Sequence, residues 1–275
     1  MRIANLDNRA VILLGDEFAD IATASQGRFG PDMTSIWQQW EEFAEWAPKI
    51  RTTSGRYEPR LLRCPVPQPR QVFAIGLNYM SHAAESAIQV PTVPATFTKF
   101  PECLTGPFDD IPLVGGANDW EVELVAVIGR RADRVAEADA WQHVAGLTVG
   151  QDISDRHLQF AASGQFSLGK SRRGYGPLGP CVVTVDEFAN RDDIALGCSL
   201  DGMTMQEART KDLIFSVPRL VAELSAVLPL VPGDLIFTGT PDGIGAVRKP
   251  PIFLQPGQVL ESWVEGIGTI RNRCV

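Results

Sequence analysis

One segment, at 119–129, limits which folds this chain can adopt. Its sequence, DWEVELVAVIG, is apolar at nearly every position after the first acids, which is typical of a strand buried on both faces. Side chains alternate across a strand, so Glu121 and Glu123 point to the same side of the sheet. Burying a carboxylate in an interior strand costs free energy unless a positive charge lies beside it. The segment therefore predicts an interior strand that begins beside a cation.

A third acid, Asp152, ends another apolar run at 145–152. Three carboxylates without a neighbouring histidine or cysteine suit a hard divalent cation, Mg²⁺, Mn²⁺ or Ca²⁺, better than Zn²⁺. The simpler alternative is that the first half of the strand is exposed and its glutamates only make it soluble. Spacing alone leaves both interpretations open.

Beyond residue 70 the chain is dominated by short strand-like runs separated by Gly, Pro and Asp turns. They lie at 72–77, 120–128, 146–153, 181–185, 194–200, 234–240 and 259–264. Asp201 and Gly202 predict a tight hairpin after one of these runs. Helical patterns are evident at 136–144 and 217–228. Strands without regular helix alternation favour an α+β, β-rich mixed sandwich or roll over a doubly wound sheet.

The first part of the chain predicts a small N-terminal α/β extension. A hairpin turn is expected at 7–9. One continuous helix is expected after the N-cap Thr34, through Trp37, Trp40, Phe43 and Ala47, with Pro48 just beyond its end. Four prolines follow from Pro59 to Pro69, and a segment so rich in proline cannot continue a helix or a central strand. We therefore predict a linker or extended arm there, a small domain at 1–69 and a main domain at 70–275.

Composition disfavours some classes of partner. The chain has 275 residues, and its 25 basic and 33 acidic side chains give a net charge of −8. That balance disfavours nucleic acids and anionic membranes, whereas a small anionic substrate remains possible. We expect no membrane span, because no apolar run approaches roughly 18 residues, and no signal peptide. Five scattered cysteines without a CxxC pair disfavour disulfides and zinc-thiolate sites, so a cytoplasmic location is predicted.

His82 and Glu85 are three residues apart, just after an apolar run. On a helical turn they would be neighbours, and the carboxylate would orient the imidazole as a general base acting on water. An ordinary exposed pair has the same spacing, so this motif alone is not decisive.

Two glycine-rich segments resemble ligand-binding loops. Residues 164–171 match the phosphate-loop pattern around Lys170, but no strand precedes them and no helix can follow, so we interpret the match as accidental. The turn at 239–245 lacks dinucleotide spacing. Its backbone N–H groups are able to bind a carboxylate, although a plain strand connection is equally compatible with the sequence.

Together, the ordered motifs resemble the fumarylacetoacetate hydrolase superfamily from about residue 71 to the C-terminus. They are GLNYxxHAxE, FTKFP, DWEVELVAVIGR, GQDISDRxxQ, LGKS, GPLGP, PGDLIFTGTPDGIG and GIGTIRN. The resemblance implies a β-rich roll, usually a homodimer, with a divalent metal in its mouth. Residues 1–69 have none of these motifs and are similar to the variable N-terminal extension of that family.

The resemblance also implies roles for individual residues. Glu121, Glu123 and Asp152 match metal ligands for Mg²⁺ or Mn²⁺. His82 and Glu85 match a water-activating dyad on a lid, and Lys170 matches a lysine that contacts the keto or enolate oxygen of the substrate. Arg156, Gln159 and Thr240 match residues that line the substrate pocket. His157 departs from the family, in which an Asp often follows the Arg, so the exact substrate is not transferred.

The implied reaction is metal-dependent hydrolysis of a C–C bond in a 2,4-dioxo acid, an acylpyruvate or a fumarylacetoacetate-like compound. It passes through a pyruvate enolate that the metal and Lys170 stabilise. Oxaloacetate decarboxylation and isomerisation of a 2-hydroxy-diene-dioate reach the same enolate and remain alternatives. An intact His82–Glu85 pair favours hydrolysis, because decarboxylation needs no activated water. A non-catalytic ligand-binding protein is the alternative from another class.

Overall fold

The computed structural model describes residues 1–85, 89–161 and 163–275. In this part of the chain the α-helices are α1 (Ile21–Ala24), α2 (Met33–Gln38), α3 (Trp40–Trp46), α4 (Met80–Glu85), α5 (Arg156–Ala161) and α6 (Val217–Val227). The 3₁₀ turns are Ala47–Lys49, Pro59–Leu61, Pro101–Cys103, Glu137–His143, Val185–Glu187 and Thr210–Asp212. The strands are β1 (Arg2–Leu6), β2 (Arg9–Leu14), β3 (Glu17–Asp20), β4 (Gly55–Arg56), β5 (Leu62–Arg63), β6 (Val72–Gly76), β7 (Ala95–Thr98), β8 (Leu104–Thr105), β9 (Asn118–Asp119), β10 (Val122–Ile128), β11 (Val144–Gln151), β12 (Ser154–Asp155), β13 (Gly176–Thr184), β14 (Ala195–Leu200), β15 (Met203–Arg209), β16 (Leu235–Phe237), β17 (Val259–Val264) and β18 (Gly268–Arg273).

A large mixed sheet dominates the described chain. Its main path runs β4-β3-β2-β1-β13-β11-β10-β16-β6-β7, with β5 beside β1 and β8 beside β13. β1 pairs with β13 through Arg2 and Val183, so the N-terminal segment extends the sheet of the rest of the chain. A second sheet has the order β15-β14-β17-β18. The strand-rich α+β fold class predicted from the sequence is confirmed, and the division into two domains at residue 70 stays a prediction.

The central strand β10 separates two hydrophobic cores. All of its residues are buried. In the first core, the even-numbered residues of Val122–Ile128 pack with residues of β14, β17 and α6. In the second core, Val125 and Val127 pack with the aromatic side chains of α2 and α3. The prediction of a strand buried on both faces is therefore confirmed. Glu121 and Glu123 belong to the face that Val125 and Val127 continue, at the entry end of the strand.

The helix predicted at 217–228 is confirmed as α6, and its position follows from its sequence. The Ser216 side chain caps it by accepting the N–H of Arg219 at 3.3 Å. Leu220, Val221 and Leu224 are spaced along one face, are buried, and join the first core.

Three local predictions need correction. The N-cap in the N-terminal segment is Asp32, not Thr34, because the Asp32 carboxylate accepts the N–H of Ser35 at 2.9 Å and starts the helix earlier. The helical pattern then breaks at Gln39, which separates α2 from α3. The run predicted as a helix at 136–144 is a 3₁₀ turn, Glu137–His143, with no side-chain cap at its start.

The hairpin turns are as predicted. Asp7 and Asn8 have positive φ between β1 and β2, and Asp201 and Gly202 have positive φ between β14 and β15. The proline-rich segment is an extended arm rather than a loose linker, since β5 within it pairs with β1. No helix of the described chain is long and apolar enough to cross a membrane. All five cysteines are free and buried.

Candidate active site

Three acidic side chains meet where β10 begins and β11 ends. Glu123 lies in β10, Glu121 precedes this strand, and Asp152 follows β11. The two strands are antiparallel, so the start of one lies beside the end of the other. One carboxylate oxygen from each residue lies within 4.8 Å of the others, and all three residues are buried. The structure brings the acids together as the sequence predicts, while their role as metal ligands stays a prediction.

Two cations contact Glu121. Lys170 Nζ lies 2.5 Å from Oε2, and Arg156 Nη2 lies 2.8 Å from Oε1. Lys170 Nζ also lies 2.7 Å from Asp152 Oδ2. Burial alone would raise the pKa of Glu121, but Lys170 and Arg156 outweigh that effect and lower the pKa to about 2. Glu121 is therefore ionised at neutral pH.

Glu123 lacks such a partner, since no Lys or Arg of the described chain forms an ion pair with it. Its Oε2 accepts the N–H of Gly239 at 2.7 Å. Burial, followed by the charges of Asp152 and Glu121, raises the pKa of Glu123 well above its usual range. Oxygen-only donors from three buried carboxylates are the set that hard divalent ions prefer. These residues therefore fit Mg²⁺ or Mn²⁺.

Lys99 is a buried cation that the motif FTKFP contains but to which sequence reasoning assigned no role. Its Nζ donates to Asp152 Oδ1 at 2.7 Å and to the Tyr175 carbonyl at 3.0 Å, and it also contacts the Lys170 carbonyl. Burial alone would lower the pKa of Lys99, but the Asp152 carboxylate raises it overall. Lys99 therefore holds one oxygen of Asp152 while the other faces Lys170.

We expect Lys99→Met to weaken Mn²⁺ binding about 10- to 100-fold, the usual cost of losing a group that orients a metal ligand. Methionine has a similar length but cannot donate to Asp152. Isothermal titration of the folded variant with MnCl₂ measures the effect, and Lys211→Met, an exposed lysine outside the site, is the matched control. Unchanged or tighter binding would show that Lys99 acts only as a counter-charge and does not position Asp152.

His82 and Glu85 lie in α4 and form the predicted pair. His82 Nδ1 is 2.8 Å from Glu85 Oε1. An ionised carboxylate only accepts hydrogen bonds, so Nδ1 carries the ring proton and a neutral ring has a free lone pair on Nε2. His82 is buried and lies close to Glu121. The predicted lid continues past Glu85 into residues 86–88, which lie outside the described residues.

A cavity of about 360 Å³ is lined by both His82 and Glu121, one of the three clustered acids. Its polar lining contains the predicted residues His82, Glu121, Arg156, Gln159, Lys170 and Thr240. Its other lining residues are Ile75, Gly76, Leu77, Phe97, Phe160, Phe166, Ile244, Ala246 and Val247. The cavity therefore combines a charged floor with an apolar wall.

The glycine-rich turn after β16 binds carboxylates of the chain itself. The N–H of Gly239 contacts Glu123, and the N–H of Gly243 donates to Glu85 Oε2 at 3.0 Å. The N–H of Gly245 donates to Asp119 Oδ1 at 2.7 Å. Gly239 has a φ of +101°, a conformation that favours glycine. The turn thus connects the His82–Glu85 pair to the acidic cluster. Its backbone N–H groups bind carboxylates, which is one of the two interpretations that its sequence leaves open.

Arg156 is oriented by Asp119, a second residue to which sequence reasoning assigned no role. Asp119 Oδ2 accepts Arg156 Nε at 2.8 Å and Nη2 at 2.6 Å. Gln159 Oε1 accepts Arg156 Nη1 at 2.9 Å. These bonds fix the guanidinium beside Glu121 in the charged floor of the cavity.

Lys170 lies in a turn that packs directly on α5. A Cβ at Gly169 would lie 2.4 Å from the backbone nitrogen of Gln159, so only glycine allows this approach. No helix follows Lys170, which agrees with the interpretation of the phosphate-loop match as accidental. The Thr240 hydroxyl donates to the Val122 carbonyl at 3.0 Å. Substrate contacts by Arg156, Gln159 and Thr240, and the effect of the exposed His157, stay predictions.

Comparison with known proteins gives one family match. The sequence model of the family described as fumarylacetoacetate (FAA) hydrolase C-terminal matches residues 71–275. Oxaloacetate tautomerase FAHD2A, mitochondrial, of Bos taurus is 40% identical over 214 residues, which cover 77% of this chain and 68% of that protein. Fumarylacetoacetate hydrolase domain-containing protein 2 homolog of Dictyostelium discoideum is 41% identical over 223 residues, which cover 77% of this chain and 73% of that protein.

Solved structures share the whole fold. A Mycobacterium smegmatis protein provisionally designated HpcE has a TM-score of 0.95 and 47% identity, with 100% of this chain and 99% of that chain covered. Maleylpyruvate hydrolase from Sphingobium sp. SYK-6 was solved in complex with manganese(II) ion and pyruvate. It has a TM-score of 0.81 and 27% identity, with 100% of this chain and 99% of that chain covered. The likeness therefore extends beyond residues 71–275 to the N-terminal segment.

Proposed function

Since this chain belongs to the fumarylacetoacetate hydrolase family, we propose that it is a Mg²⁺- or Mn²⁺-dependent hydrolase that cleaves a C–C bond of a 2,4-dioxo acid. The observation that carries the proposal is His82, which Glu85 orients and which lines one cavity with Glu121, Arg156 and Lys170. An oriented base beside buried cations and carboxylates suits attack by water on a bound keto acid.

The residues divide the reaction between them. His82 Nε2 accepts a proton from water, and the resulting hydroxide attacks the C4 carbonyl carbon. The C3–C4 bond then breaks, C4 becomes the carboxyl carbon of the acid product, and the electron pair forms the enolate of pyruvate. The protonated His82 returns its proton to C3 of the enolate, which gives pyruvate and regenerates the base. Lys170 donates to the 2-oxo oxygen and stabilises the charge that develops there. Arg156 and Gln159 orient the substrate at the cavity floor.

A metal held by Glu121, Glu123 and Asp152 would supply Lewis-acid polarisation of the 2-oxo group. The manganese in the maleylpyruvate hydrolase structure supports this choice of ion class. The buried donor set of this chain supports it independently. A homodimeric assembly and a cytoplasmic location stay predictions.

A product assay on the Mn²⁺-loaded protein tests the proposal. We expect acetylpyruvate to give pyruvate and acetate in equal amounts, measured by lactate dehydrogenase coupling and NMR, and EDTA to stop the reaction. Excess Mn²⁺ should restore it. Pyruvate from oxaloacetate with none from acetylpyruvate would contradict hydrolysis and identify a decarboxylase.

Keto–enol tautomerisation of oxaloacetate is the second candidate, because relatives with this activity in their names are about 40% identical. The same base would move a proton between C3 and the 2-oxo oxygen. Enol-oxaloacetate absorbs ultraviolet light more strongly than its keto form, so the decay of its absorbance measures the activity directly. Accelerated decay together with no acetylpyruvate cleavage would favour this candidate over hydrolysis.

A further inference from the structure

The apolar wall of the cavity is built from three phenylalanines in edge contact. The ring centroids of Phe97 and Phe166 are 5.8 Å apart at an interplanar angle of 72°, and those of Phe160 and Phe166 are 5.7 Å apart at 79°. Ile244 and Val247 line the same cavity. Phe160 is 61% exposed although its neighbours on the wall are partly covered. An exposed aromatic ring beside a polar site is typical of a ligand-binding surface.

The cations that line the cavity all belong to its charged floor. Arg156 is paired with Asp119 and Glu121, and Lys170 with Glu121 and Asp152. Within the described chain no other Lys or Arg lines the cavity. Residues 86–88 and 162 are Ser, Ala, Ile and Ala, which carry no charge. A second carboxylate placed along the phenylalanine wall would therefore lose water without gaining a positive partner.

We propose that Phe97, Phe160 and Phe166 determine specificity, and that the substrate carries an uncharged apolar group beyond C4 of its 2,4-dioxo acid unit. This rests on the proposed function. The phenylalanine wall selects monocarboxylic acylpyruvates over dicarboxylic ones. An apolar tail is stabilised by burial against the wall, whereas a carboxylate placed there is not. The polar end of both kinds of compound would bind the same charged floor.

Two substrates of equal shape test the proposal. Succinylpyruvate ends in a carboxylate, and 4-methylpentanoylpyruvate ends in an isopropyl group of the same branching. With Mn²⁺-loaded protein we expect kcat/KM to be at least about 10-fold higher for the apolar compound, in the range that pocket contacts of this size provide. An equal or lower value for the apolar compound would overturn the inference while leaving hydrolysis intact.

A charge introduced on the wall should reverse this preference. Because Phe160 is largely exposed, Phe160→Arg is compatible with folding, and it should shift the ratio of the two kcat/KM values toward succinylpyruvate by about 10-fold or more. Phe160→Leu keeps an apolar wall and should retain the preference for the apolar compound. Val227→Arg adds the same charge at an exposed position of α6 and should leave the ratio unchanged. An unchanged ratio in Phe160→Arg would contradict a role for this wall.

Binding separates this inference from the proposed function. If neither compound releases pyruvate, hydrolysis fails, and calorimetric titration of the Mn²⁺-loaded protein with both compounds still measures the preference. Tighter binding of 4-methylpentanoylpyruvate would then uphold the apolar subsite. Equal binding, tighter binding of succinylpyruvate, or no binding of either would overturn it.

Discussion

Glu123→Gln is expected to abolish Mn²⁺-dependent stabilisation and to lower hydrolysis by about 10²-fold or more, since both depend on the same charged donor. Glutamine has the shape of glutamate and can still accept the N–H of Gly239, but it is a neutral ligand. Removing a buried carboxylate that lacks an ion pair should leave the metal-free protein as stable as the wild type or more stable. The variant thus separates metal binding from folding.

Thermal unfolding with and without MnCl₂ provides the measurement for Glu123→Gln. The wild type should gain stability with metal, and the variant should show a similar or higher midpoint without metal and no gain with it. Glu207→Gln, at an exposed position of β15, is the matched control and should behave as the wild type. A variant that remained active and gained stability with Mn²⁺ would refute Glu123 as a ligand.

The acidic cluster is the part of the site that the sequence predicts best, for a physical reason. Glu121 and Glu123 lie at the entry of an apolar strand, and strand alternation alone places them on one face. Asp152 ends the neighbouring apolar run, and antiparallel pairing brings it to the same point. The alternation of side chains along a strand and the pairing of two strands that are close in sequence are local properties. The sequence pattern can therefore predict both.

Contacts between distant loops could not be predicted in this way. Lys99 meets Asp152 across 53 positions of the chain, and Gly245 meets Asp119 across 126. Nothing in the local sequence of a lysine identifies which distant acid will accept its hydrogen bond. The family resemblance supplied the roles of His82, Lys170 and Arg156, but it did not show that Lys99 and Asp119 hold these groups in place.

Small local competitions explain the errors in helix boundaries. Asp32 and Thr34 are both good N-cap residues, and the choice between them depends on Ser35, whose hydroxyl also donates to the Asp32 carbonyl at 2.7 Å. The earlier start buries Met33 in the second core. Tertiary packing therefore decides between caps that propensity alone leaves nearly equal.

His82→Asn is expected to lower acetylpyruvate hydrolysis by about 10²- to 10⁴-fold, the usual contribution of a positioned general base. Asparagine can still form a hydrogen bond near Glu85, but it cannot take a proton from water. The metal ligands remain, so calorimetry should show unchanged Mn²⁺ affinity. Oxaloacetate decarboxylation, if present in the wild type, should also persist, because it needs a stabilised enolate and no activated water.

The histidines of this chain provide the control for that experiment. His143→Asn changes a ring whose Nδ1 contacts the Arg131 carbonyl at 2.9 Å, outside the cavity, and should retain wild-type hydrolysis. Glu85→Gln should lose less activity than His82→Asn, because it disturbs the tautomer and orientation of the ring without removing the base. Equal loss of hydrolysis and decarboxylation in His82→Asn would assign the pair to proton transfer on the enolate. That result would favour tautomerisation over attack by water.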